Sequence, residues 1–504
     1  MSTFTVTRVL GERLDAKNLF GFAIATALGV LLAAYPLTSL GAVTVCLTVY
    51  GIFRWCRERL ESWQTLVLLA LTPYLILNYG FDNFAVGAGG YHFPVGELLM
   101  LLALLLVTLR TEREFMKSIL LDPPVACLIA LLLLACCHLL IDVPRYGFYA
   151  VRDGSMFFEA VFLVLGVMWA QNPRNTWILK RWLFYVFLIN LFYCYTFNWG
   201  ERIQSMSPSF GVFHPVPLFG YYQQSALMLL VGAIYFIWIA PSVVRWPRWI
   251  LMLFAAAQLG GLAILQVRSM YVGIAVILLI LLLLRETKKL ARFASTIGWG
   301  FGVLLALLLA VSALDVKLQG RMGPVDFSFL EEQAKTVLAV GDANARMSHD
   351  VDRAKWYAEV WNRVRSSPTN IVVGEGFGQA LIEFVTEEGI PVRQPHNSSL
   401  TVLARLGFAG LSIWFLFIVL VLARYVRVLR MRSASEKASS LVLWLFMYSV
   451  LFLMLMSVQP EFEFSHGAIP FFFLQGLAIG IMEQMKNTLD PQSFGVSARR
   501  TAGS

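Results

Sequence analysis

Residues 295–314, STIGWGFGVLLALLLAVSAL, run for twenty positions without an acid or a base. At about 1.5 Å per residue, a helix of that length covers the ~30 Å hydrocarbon layer of a bilayer. Only a helix satisfies its own backbone over such a run inside lipid. Stretches of the same kind recur, among them FGFAIATALGVLLAAY (20–35), PVGELLMLLALLLVTL (94–109) and YVGIAVILLILLLL (271–284). Of the 504 residues, 58% are hydrophobic and 14% charged, against roughly 25% charged in average soluble proteins; the mean hydropathy is +0.69. A soluble core of that composition is excluded, and the expected fold is an all-α polytopic membrane protein.

Fourteen apolar segments can be drawn, at 18–35, 37–53, 64–80, 94–109, 124–141, 155–170, 182–198, 219–240, 249–265, 269–284, 294–313, 398–423, 440–457 and 467–483. The shortest are marginal, so about 12–14 transmembrane helices are expected. With a cytoplasmic amino terminus, the inside segments hold 26 of the 40 basic residues, and the short outside loops and helix ends hold only Arg145, Arg152, Arg202, Arg268 and Arg405. Long loops are exempt from the positive-inside rule, so this asymmetry sets the orientation. Both termini are expected in the cytoplasm. The resulting division is 1–314 (helices 1–11), 315–397 (one large extracytoplasmic loop), 398–483 (helices 12–14) and 484–504 (a polar cytoplasmic tail).

The formal charge of +9 sits in short clusters between apolar runs, which points to topology and not to nucleic acid. All six cysteines lie in or beside apolar runs, with no disulfide framework or zinc spacing. Arg8, Arg13 and Lys17 precede a first apolar run that leads through Pro36 into a second, so a retained helix is expected in place of a cleaved signal. Every histidine (His92, His138, His214, His349, His396 and His466) falls in an outer loop or at an outer membrane edge. Proton-transfer chemistry is therefore expected on that side.

Within the long loop, MSHDVDRAKWYAEVWNRVR (347–365) places Trp356, Val360 and Val364 at helical spacing with charges opposite. It reads as an amphipathic helix capped near Ser348 or Asp350, packed on the loop or resting at the interface. Gly374-Glu375-Gly376-Phe377-Gly378 has the look of a phosphate cradle, but no Lys-Ser or Lys-Thr follows it and it lacks a strand-to-helix setting. A tight backbone turn is the simpler reading. Gln394-Pro395-His396-Asn397-Ser398-Ser399-Leu400 ends the loop where helix 12 begins. Asn397 or Ser398 can cap that helix, while His396, a residue type that titrates near pH 6.5, is placed to accept a proton at the membrane surface. Glu97, Glu159, Arg268 and Arg405 are ionisable groups at the outer edge, where burial is costly and function is the default suspicion. Arg268 could equally snorkel to headgroups.

Taken in order, VRSMYVG (267–273), Arg353-Ala354-Lys355-Trp356, GEGFG (374–378) and HNSSLTVLARLGFAGL (396–411) resemble the carboxy-terminal signature of the O-antigen ligase and O-antigen polymerase superfamily. The resemblance covers about residues 255–425, the amino-terminal half matching by hydropathy only. It implies a GT-C-like membrane glycosyltransferase that takes a glycan from an undecaprenyl diphosphate carrier and joins it to an acceptor hydroxyl at the outer face of the inner membrane. Ligase and polymerase share the donor and differ in the acceptor, which is another lipid-linked repeat, a lipid A core, a protein or an outer polysaccharide. Membrane lipids and other polysaccharide-assembly proteins are the remaining implied partners.

The residue chemistry fits such a reaction. A departing lipid diphosphate is best met by arginine, permanently cationic and bidentate. Arg268 and Arg353 are the first candidates, with Arg346, Arg202 and Arg405 as helpers and Asn397 beside the base. His396 is the candidate base, and one base suffices for direct inverting displacement. The chemistry asks for no metal ligand set or cofactor. A transporter or flippase of lipid-linked glycans is the alternative, and a scaffold subunit a third; the convergence of polar residues on one surface favours an enzyme over related halves around a midplane site.

Overall fold

The computed structural model describes residues 60–88, 91–211, 215–220, 223–313, 319–321, 323–325, 349–385, 391–430 and 436–489. The segments 18–35 and 37–53, His214, Arg346, Ser348 and the tail beyond 489 lie outside the described residues.

The remaining twelve apolar segments are all helical. They form α1 (Ser62–Leu77), α2 (Val95–Thr108), α3 (Pro123–Tyr146), α4 (Phe148–Phe158), α5 (Leu163–Ala170), α6 (Pro173–Tyr195), α7 (Gln223–Trp238), α8 (Arg248–Leu265), α9 (Arg268–Leu283) and α10 (Thr287–Ala313). A 3-10 turn, Glu159–Phe162, joins α4 to α5 as one span. The polar loop contributes α11 (His349–Val364) and α12 (Pro368–Val373), followed by α13 (Ser398–Arg430), α14 (Glu436–Met456) and α15 (Ser465–Leu489). Among the described residues, six helices are long and apolar enough to cross a membrane, and five apolar ones are shorter. The chain is an all-α polytopic membrane protein; its strands are two-stranded hairpins in the connections.

Two devices hold the bundle together. Small residues let backbones touch where lipid supplies no hydrophobic drive: a Cβ on Gly166 of α5 would lie 2.0 Å from the Phe473 carbonyl oxygen of α15, and one on Gly476 only 1.8 Å from that of Leu163. Polar groups then link helices inside the bundle. Tyr425 of α13 donates to Gln475 Oε1 of α15 at 3.1 Å, and Gln475 Nε2 donates to Ser449 of α14 at 2.8 Å.

The connections segregate to two ends. At one end Arg424 of α13 meets Asp122 ahead of α3 at 2.8 Å, and Gln484 of α15 reaches the Ala170 carbonyl. This basic end carries the arginine and lysine clusters around residues 110–117, 174–181 and 424–430. At the other, loop end, the α1–α2 connection, the α3–α4 turn, the α14–α15 turn and the polar loop contact one another. The histidines at 92, 138, 396 and 466 all belong to it.

Candidate active site

The glycine-rich turn of the loop is a clamp. Gly374, Gly376 and Gly378 have φ of +85°, +82° and +97°, a region that L side chains rarely enter. A Cβ on Gly376 would sit 2.2 Å from Asp142 Oδ2 and one on Gly378 2.3 Å from Tyr146 Cβ. The freed space is filled by hydrogen bonds: Phe377 N donates to Asp142 Oδ2 at 2.7 Å, and Gly378 N to Asp153 Oδ2 at 3.0 Å. Glu375 N and Gly376 N donate to the carbonyls of Ala404 and Arg405. These four backbone donors are spent on the protein itself, which rules out a phosphate cradle and bears out the tight turn.

That pairing explains a break in α13. Gly407, at φ +62°, interrupts the helix so that the carbonyls ahead of it can receive the clamp, and a Cβ there would lie 2.4 Å from the Val372 backbone. Arg405, 1% exposed, is the hub. Its Nη2 donates to Asp153 Oδ2 at 2.8 Å and its Nη1 to the Gly376 carbonyl at 3.0 Å. Arg393 joins them, donating to Gly378 O at 2.8 Å and lying over the Tyr149 ring. Beside the hub, burial raises the Glu375 carboxyl above the ordinary glutamate range against the opposing pull of Arg405 and Arg363.

On this clamp rests the amphipathic helix α11. Trp356, Val360 and Val364 are buried against Leu381, Ile382, Leu403 and Ala404, so the expected apolar stripe is a packing face on α13. The Trp356 indole in turn meets the His396 ring edge-on, with centroids 5.3 Å apart. His396 has φ +52°, a strained backbone for a residue with a Cβ, held between that indole and the start of α13. Asn397 is the cap: its Oδ1 accepts from Leu400 N at 3.0 Å. Arg353 lies one helical turn before Trp356, partly exposed on the same helix. The structure thus brings Trp356 and His396 together, with Arg353 on the same helix as Trp356.

Arg268 stands elsewhere at the same end. It opens α9 after Gln266, whose left-handed backbone (φ +53°) makes the turn from α8. The hairpin at 319–324 docks on this turn, with Gln266 Nε2 donating to Gly323 O and Arg321 Nε to Leu265 O, both at 3.1 Å. Burial, and then the nearby charge of Arg268, lower the Arg321 guanidinium below the usual arginine range. Two cations at one turn form an electropositive corner. Arg202 is exposed on the short helix Gly200–Ser205, next to a turn that packs on the same hairpin. Helix α14 separates this corner from His396: Gly273 of α9 packs on Leu451, and Ser398 of α13 approaches the Gln459 carbonyl just beyond α14 at 3.4 Å.

The stretch that supplies both the electropositive corner and the His396 junction, residues 251–415, matches the family model Wzy_C, O-antigen ligase. That part of the chain is similar to the O-antigen ligase family. No curated protein matches the chain. Within the ligase segment lie Arg268, Arg321, Arg353, the glycine clamp, His396 and Arg405. Its supports come from outside: Asp142 and Asp153, absent from the sequence-level candidates, fasten the clamp from α3 and α4. Their signal was available, since a carboxylate at the end of an apolar helix is costly unless paired.

Proposed function

We propose that the protein is a membrane glycosyltransferase of the O-antigen ligase or polymerase type. It takes a glycan from an undecaprenyl diphosphate carrier and joins it to an acceptor hydroxyl in surface polysaccharide synthesis, at the outer face of the inner membrane. The observation that carries this reading is His396: an imidazole held at positive φ by Trp356, one helical turn from Arg353, inside a segment of the O-antigen ligase family.

The acceptor O–H gives its proton to an imidazole nitrogen of His396 as its oxygen forms a bond to the anomeric carbon. The bond from that carbon to the diphosphate oxygen breaks, and the leaving diphosphate keeps the electron pair. One displacement inverts the anomeric centre, and one base with cationic partners suffices for it. A donor lying across the α14–α15 turn would place its diphosphate at Arg268 and its sugar at His396, with Arg353 approaching from the loop and Arg202 from the α6–α7 connection. Arg405, whose guanidinium is given to Asp153 and Gly376, serves by positioning the loop. Asn397 serves by fixing the backbone next to the base.

The test is transfer by full-length protein in nanodiscs, with lipid diphosphate glycan as donor and the product identified. His396→Gln is expected to lose transfer by about 10²–10⁴-fold, the usual worth of a general base, while donor binding persists. Normal transfer by that variant at neutral pH would overturn the assignment.

A further inference from the structure

Beside the His396 junction lies a cavity of about 140 Å³. Its lining includes the aromatic Tyr79, Phe148 and Phe464 and the acidic Asp82, Glu97 and Glu463. Arg152 and His92 complete the rim.

The carboxylates are held from behind. Asp82 receives the backbone N–H of His466 at 2.9 Å and contacts its ring Nδ1. Glu97 Oε1 and Glu159 Oε1 each lie 2.6 Å from Ser465 Oγ. Glu463 Oε2 receives Ser398 Oγ at 2.5 Å, and Thr401 of α13 also bonds this carboxyl.

We infer that this cavity binds one neutral sugar residue of the acceptor glycan, on the glycosyltransferase reading given above. Sugar hydroxyls donate well to carboxylate oxygens, and the apolar C–H face of a pyranose lies flat on an aromatic ring. The volume is of the order of one such ring. A phosphate or an acidic sugar is disfavoured, because three carboxyl groups face a single arginine at this rim. A metal ion is a poor occupant as well: among the described residues no cluster of His, Cys, Asp and Glu has metal-binding geometry. The location fits an acceptor. Ser398, which holds Glu463, is two residues from His396, while the cationic corner at Arg268 belongs to α8 and α9 beyond α14. A sugar seated here presents a hydroxyl to the base from the side away from the diphosphate.

The experiment is saturation-transfer NMR on the full-length protein in nanodiscs. The probes are the methyl glycosides of glucose, galactose, mannose and N-acetylglucosamine, with methyl glucuronoside as the acidic comparison. At least one neutral glycoside should bind and the glucuronoside should not. Phe148→Ala should weaken binding about tenfold, the worth of one lost aromatic platform. Ser155→Phe, which fills the cavity from its wall, should abolish it; thermal unfolding checks that each variant is folded. His396→Gln should bind the glycoside normally, so a failed base assignment and a failed pocket give different results. Absence of any neutral glycoside signal, equal binding of the glucuronoside, or unchanged binding in folded Ser155→Phe would each overturn the proposal.

Discussion

Replacing Asp153 by alanine removes the carboxylate that receives Arg405 Nη2 at 2.8 Å, Arg393 Nη2 at 3.3 Å and Gly378 N at 3.0 Å. Arg405 is 1% exposed, so its charge is left without its closest counter-ion in a place that water does not reach. Breaking a buried pair from one side costs about 3–5 kcal/mol, and the stranded Gly378 N–H adds about 1–3 kcal/mol. Losses of that size exceed what a short turn can bear, so the clamp at 374–378 should release from α13 and take α11 with it. The assay is thermal unfolding in nanodiscs together with limited proteolysis of the loop. Asp153→Ala should unfold earlier and be cut within 349–385, while Asp153→Asn, which keeps the shape and an acceptor, should fall in between. The decisive comparison is the double variant Asp153→Leu, Arg405→Leu. With both charges gone the fully buried Arg405 ion is no longer stranded, and only the more exposed Arg393 loses its partner, so the loss should be smaller than the sum of the single losses by about 1–3 kcal/mol. A double variant that loses the full sum, or an Asp153→Ala protein as stable and protease-resistant as the parent, would refute the hub.

Arg268→Ala at the electropositive corner and Arg353→Ala on α11 should each slow transfer by about 100- to 1000-fold, as for the loss of one preorganised charge partner, with lysine rescuing in part; Arg321→Ala should resemble Arg268→Ala. Unchanged turnover in folded variants would leave these arginines as headgroup contacts. Glu375 carries a pH signature. Its folded carboxyl binds protons more tightly than the unfolded one, so its contribution is full below the ordinary glutamate value of about 4.3 and is lost as pH rises through the folded value. Glu375→Gln should therefore flatten the fall in melting temperature over the weakly acidic range, and an unchanged slope would contradict the burial argument. For orientation, a cysteine at Ser328 should react with an impermeant reagent in intact spheroplasts and one at Ser433 should not; the reverse pattern would invert the topology.

Hydropathy was enough to locate the helices, because a span must be both long and apolar, and each of the twelve segments on described residues is helical. The α11 stripe was legible for the same reason: Trp356, Val360 and Val364 recur at helical spacing, and all three are buried. What the amino-acid order leaves open is partnership across long separations. Asp142 and Asp153 look like ordinary loop-edge acids until residues 377 and 378 are brought to them, 235 and 225 positions away. Arg405 looked like a cation available to substrate because it lies in a family motif; only the fold shows its guanidinium turned inward.

The same distinction separates the two groups of arginines. An arginine that meets carboxylates in the protein fixes a shape, whereas Arg268 and Arg321 stand together at one turn, where on the proposed reading they would meet the donor's diphosphate. Sequence lists all of them alike, since a guanidinium carries no mark of where its counter-charge comes from. The fold assigns the partners by topology: Asp153 of α4 meets Arg405 and Arg393, and Asp142 of α3, which packs beside α13, receives the Phe377 N–H, while the α8–α9 turn is covered by a hairpin that itself brings an arginine. The clamp holds no proposed reacting group itself, although through α11 and α13 it supports the His396 junction, and the α8–α9 turn lies apart from it. Exchanging charges within the clamp should alter stability before activity, and at the α8–α9 turn activity before stability.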